Sequence, residues 1–65
     1  MAPESIRFNR AQVVALFSLA MIEDASARIT IVRQDVSDAI VIDIGVFLPR
    51  RLKLNKDGGY VEVKA

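Results

Sequence analysis

The chain reads as an α+β protein, with one N-terminal helix packed on a four-stranded antiparallel meander sheet made of two hairpins. Three observations predict it: a capped stretch of helix formers at positions 9–28, a switch to period-two alternation from Ile29, and two clusters of turn residues at positions 35–38 and 56–59. At 65 residues there is room for one small core, so residues 1–65 are a single domain: an arm at 1–8, the helix at 9–28 and strands at 29–64.

The helix start is marked three times. Asn9 can accept from a free N–H of the first turn, Gln12 at the third helical position approximates a capping box, and Phe8 with Val13 has hydrophobic-staple spacing. Helix formers continue to Ala27 or Arg28, with Asp24 and Arg28 an i,i+4 ion pair. At 100° per residue, Ala11, Val14, Ser18, Met21, Ile22, Ala25 and Ile29 form the stripe expected to lie on the sheet. Val13, Leu16, Phe17 and Ala20 then point away from that stripe, with Leu19 further round.

Ile29 and Ile31 alternate with Thr30, and Ile40, Ile42 and Ile44 with Val41 and Asp43, which predicts two antiparallel strands. Gly45 and Pro49 suggest that the second of these bends or bulges before the third begins. Leu52 and Leu54 alternate with Arg51 and Lys53; Asp57, Gly58 and Gly59 supply a tight turn into Tyr60, Val61, Glu62 and Val63. Simple alternation places Arg51, Lys53, Tyr60, Glu62 and Lys64 opposite Leu52, Leu54, Val61 and Val63.

The inventory excludes much chemistry. There is no Cys and no His, which removes disulfides, thiol nucleophiles, imidazole bases and the usual zinc and haem ligands. Ser18 and Ser26 therefore lack an ordinary activating base, and Gly58 with Gly59 sits in a hairpin rather than a phosphate-binding loop. Glu23 and Asp24 form an acidic pair near the expected helix end, a solvated surface rather than a catalytic dyad. Asp35 and Asp38 are the remote candidate for a hard cation, against the simpler reading of turn carboxylates that cap backbone N–H groups. The expectation is a protein that is not an enzyme and carries no cofactor or metal.

Positions 13–22 form the longest apolar run, interrupted only by Ser18. That is about half of the ~20 residues needed to span a bilayer. Pro3 and Glu4 follow Met1 where a secretory leader needs a basic start; no membrane attachment and a cytoplasmic location are expected.

A helix apolar on more than one side, in a domain small enough to bury only ~60% of the surface its unfolded chain exposes, calls for a partner. The predicted function is thus a non-catalytic protein–protein association module, a homo-oligomer or a small accessory subunit docking on a larger protein, with Val13, Leu16, Phe17 and Ala20 as the interface. The alternative is a dimeric nucleic-acid-binding regulator. Formal charge is +1 overall but +3 across residues 50–65, and Arg50, Arg51, Lys53 and Lys56 are the candidate phosphate contacts.

Overall fold

A computed structural model describes residues 5–22 and 28–64. Helix α1 (Arg10–Ile22) is followed by β1 (Ile29–Gln34), β2 (Ile40–Ile44), β3 (Arg50–Leu54) and β4 (Tyr60–Val63). The strands form one antiparallel sheet in the order β1-β2-β3-β4, so the α+β architecture is as the sequence predicts.

The capping box closes as expected. The Gln12 amide N–H donates to Asn9 Oδ1 at 2.8 Å, and the Asn9 N–H donates back to Gln12 Oε1 at 3.1 Å, which satisfies donors that have no partner inside the helix. Phe8 packs against the core cluster, while Val13 is exposed. The described part of the helix runs Arg10–Ile22, with Asn9 as its cap and Arg28 outside it; residues 23–27, with the Glu23 and Asp24 pair and the expected partnership of Asp24 with Arg28, lie outside the described residues.

The helix is also rotated from the expected stripe. Gln12, Ala15 and Leu19 are its buried residues, joined at the core margin by Leu16, whereas Val14, Met21 and Ile22 are exposed. Positions 12, 15, 16 and 19 are a regular i, i+3, i+4, i+7 face. Hydropathy alone favours the stripe through Val14, Met21 and Ile22 over one that begins at the polar Gln12, whose burial depends on carbonyl partners in other segments, and Leu19 lies one heptad from Gln12 on that same face.

The sheet supplies the other half of the core. Ile40, Ile42 and Ile44 of β2 and Leu52 and Leu54 of β3 meet Ala15 and Leu19. These two central strands read as apolar on the helix side because both are flanked by neighbours and covered by α1.

One expectation is narrowed and another corrected. The chain bends at 46–48, between Gly45 and Pro49 and before β3, as expected, but without a bulge: β2 stays in register with β3 through Ile44 and Arg50, and the register shift of the sheet lies in β1, between Ile31 and Arg33. The faces of the second hairpin also differ. Leu54 pairs with Tyr60, Leu52 with Glu62, Lys53 with Val61 and Arg51 with Val63. Directly paired residues share a face, so Tyr60 and Glu62 lie on the side of Leu52 and Leu54, and Val61 and Val63 on the side of Arg51 and Lys53. Alternation fixes sides within each strand, but the turn length decides how the two strands are matched.

Both hairpin turns sit at the N-terminal end of α1. In the first, the Asp35 N–H donates to Ala39 O at 2.8 Å and the Asp38 N–H to Asp35 O at 3.0 Å; in the second, Asn55 and Gly58 repeat this with Gly59 and Asn55 at 2.7 and 3.0 Å. Asp38 (φ 66°) and Gly58 (φ 93°) hold the same left-handed position in their turns.

Candidate functional site

The four helix residues expected to form an interface come together. Val13, Leu16, Phe17 and Ala20, with Ile29 at the start of β1, line a groove of about 220 Å3 open to solvent. Leu16 forms its floor against the core. Phe17 stands in its wall with 67% of its surface exposed. A core residue would be enclosed; this one is apolar, aromatic and open to water. Such a groove is smaller than the ~300–1,000 Å3 typical of small-molecule pockets, and its lining side chains carry no polar group to orient a ligand.

Beside this groove is an apolar feature that sequence reasoning missed. Val46, Phe47 and Leu48 are consecutive and exposed, Phe47 at 95% and Leu48 at 90%. The loop is anchored where the Gly45 N–H donates to Arg28 O at 2.8 Å, next to Ile29, so it leaves the sheet beside the β1 wall of the groove. Gly45 has φ 113°, a conformation that side-chain-bearing residues rarely adopt, and Pro49 closes the loop before β3. The signal available in the sequence was the run of three apolar residues between Gly45 and Pro49. It was absorbed into the expectation of a bent strand.

The candidate phosphate contacts do not form one patch. Arg50 lies on the helix side of β3, Arg51 and Lys53 on the opposite side, and Lys56 in the second turn. Arg51 is held by Asp43, its register partner on β2: Nε donates to Oδ1 at 2.8 Å and NH2 to Oδ2 at 3.1 Å. The hydrogen bond from Arg51, reinforced by its charge, holds the Asp43 carboxyl below the usual carboxylate range despite partial burial, and the same pairing raises the Arg51 guanidinium. Arg50 NH2 is 3.5 Å from Glu62 Oε2, and Lys53 Nζ is 3.9 Å from Asp35 Oδ2.

Asp35 also accepts from Arg33 Nε at 3.0 Å, so two cations face its carboxylate. Asp38 contributes through its backbone: its carbonyl accepts from Gln12 Nε2 at 2.8 Å. Among the described residues no group of three or more Asp or Glu side chains is arranged to hold a metal ion. The Ser18 hydroxyl donates to Val14 O at 3.1 Å, within its own helix. No helix among the described residues is long and apolar enough to cross a membrane.

No family model, no curated protein and no solved structure matches this chain.

Proposed function

We propose that this chain is a non-catalytic protein–protein association module that docks through the α1 face carrying Val13, Leu16, Phe17 and Ala20. One observation carries the reading: the exposed Phe17 stands in the wall of an apolar groove that its own sheet leaves uncovered. Covering a large apolar side chain contributes roughly 1.5–3 kcal/mol. In a domain of this size, without disulfides, a few such side chains are comparable to the whole margin of stability.

The chemistry of the chain supports a non-catalytic role. It holds no thiol or imidazole, and the Asp43 carboxylate and Arg51 guanidinium satisfy one another through two hydrogen bonds. A photo-crosslinking residue placed at position 17 tests the reading. It is expected to trap a protein partner, whereas the same probe at Thr30, exposed and on the opposite side of the sheet, is expected to trap little. Equal crosslinking at both positions, or none at 17, overturns it.

A further inference from the structure

We infer that the occupant of the α1 groove is the apolar loop tip of a second copy of this chain, Phe47 and Leu48 of each protomer entering the groove of the other about a two-fold axis. The inference rests on the α1 face being the association surface and adds what covers it.

The molecule carries both halves of the contact on neighbouring sites. The groove is a concave apolar site bounded by Val13, Leu16, Phe17, Ala20 and Ile29; the loop beginning one residue after Ile44, the register partner of Ile29, is a convex apolar site. A knob and a hole on one subunit, exchanged reciprocally, give an isologous interface that closes at two copies. Its scale suits one bulky side chain better than a drug-sized ligand.

Three consecutive exposed apolar residues are a solubility fault unless a partner covers them. The loop is tethered at both ends, by the hydrogen bond from the Gly45 N–H to Arg28 O and by the fixed φ of Pro49, which limits the ordering entropy that docking costs. Neither the tip nor the groove carries a charge, and a net charge of +1 leaves little repulsion between copies.

The areas are sufficient. Phe17 and Phe47 from two copies are four aromatic side chains, each able to bury roughly 150–250 Å2. That is on the order of half of the ~1,200–2,000 Å2 that stable interfaces take. Leu48, Val13, Ala20 and Ile29 from each copy lie where they would supply much of the remainder.

The test is a complementation experiment read by analytical ultracentrifugation across a dilution series. Wild type is expected to be a dimer. Phe47→Ser removes the knob and Ala20→Trp fills the hole; both positions are exposed, so both variants are expected to fold, with Phe47→Ala as the milder companion. Each variant alone is expected to raise the dimer dissociation constant by roughly tenfold or more. Mixed, they are expected to form a heterodimer, because one intact knob then meets one intact hole. A wild type that stays monomeric at every concentration overturns the second-copy inference while leaving the α1 face to be judged by crosslinking. A dimer lost with Ala20→Trp but kept with Phe47→Ser overturns the loop tip alone. A dimer that both variants leave intact overturns the tip and the α1 face together.

Discussion

The side-chain amide of Gln12 ties the start of α1 to the tip of the first hairpin, its Nε2 donating to the backbone carbonyl of Asp38 at 2.8 Å. The same nitrogen lies 3.3 Å from Leu54 O at the end of β3, and the Gln12 Oε1 accepts from the Asn9 N–H. A residue that looks external on a helical wheel is therefore 1% exposed and joins three segments distant in sequence. Burial of its polar amide is tolerated because both ends are hydrogen-bonded.

Replacing Gln12 tests that role. Gln12→Ala leaves the buried Leu54 carbonyl, and the partly buried Asp38 carbonyl and Asn9 N–H, without this partner, at about 1–3 kcal/mol for a buried group so stranded and less for the other two. In a domain this small that loss is expected to populate the unfolded state. Gln12→Glu is nearly isosteric but replaces the donor with an anionic oxygen aimed at two carbonyls, so above the carboxylate range it is expected to be at least as damaging. Urea denaturation at neutral pH reads both; a wild-type midpoint for either variant would show that the amide contributes nothing net.

The two hairpin turns predict unequal responses at equivalent positions. A Cβ on Gly58 would sit 3.0 Å from Ala11 O and 3.2 Å from Ala11 Cβ, at φ 93°. Gly58→Ala thus adds overlap with helix backbone to the ~1–2 kcal/mol cost of a left-handed residue, and a loss of about 2–3 kcal/mol is expected. Asp38 already occupies φ 66°, so Asp38→Gly relieves strain against a larger loss of chain entropy and is expected to change stability by less than about 1 kcal/mol. Denaturation midpoints measured side by side check the contrast.

The orientation of α1 can be tested with one pair of substitutions. Leu19 belongs to the core, whereas Met21, two residues away, is 84% exposed. Leu19→Ala is expected to cost about 2–5 kcal/mol, and Met21→Ala less than about 0.5 kcal/mol. The reverse order would restore the helix face that the sequence alone suggests.

That pair also marks how far the sequence was legible. Helix start, strand positions and both turns follow from local chemistry: the Asn9 and Gln12 cap, the alternation around Ile40 to Ile44, and the left-handed Gly58 are each visible within a few residues. What depends on contacts between distant segments was not visible. Gln12 is internal only because the Asp38 and Leu54 carbonyls wait for it, and Tyr60 shares a face with Leu54 only because of the length of the intervening turn. At the candidate site, Val13, Leu16, Phe17 and Ala20 were legible as surplus apolar helix surface. Ile29 both packs on the core and lines the groove, a double role that only the fold reveals, and the exposure of Phe47 depends on how the bend between Gly45 and Pro49 leaves the sheet.

The cross-strand pair of Asp43 and Arg51 predicts an acid-side loss of stability. The native carboxyl is held below its ordinary range, first by the Arg51 hydrogen bond, so the unfolded chain takes up the proton more readily than the folded one as pH falls. The contribution is complete above the ordinary aspartate pKa, declines as pH drops below it, and is gone once the native carboxyl itself is protonated. Asp43→Asn is expected to be less stable than wild type at neutral pH, with the gap closing as pH falls below the ordinary aspartate value of about 4. Parallel stability curves below that value would show that the pair does not couple to folding.

Salt dependence separates the association reading from the nucleic-acid alternative. Arg51 is held in a two-point pair with Asp43, and Lys53 and Arg50 each lie near a carboxylate, on opposite sides of β3. To contact phosphates these cations must leave their partners, which offsets much of the gain from counterion release. Lys56, exposed in the second turn, is the cation of this cluster best placed to release one without that cost. Any retardation of duplex DNA in a shift assay is therefore expected to be weak and to fall with log salt at a slope near −1, about one phosphate. A slope near −4, lost on substituting Arg50, Arg51, Lys53 and Lys56 together, would mean that all four reach phosphates and would make the basic hairpin the functional surface.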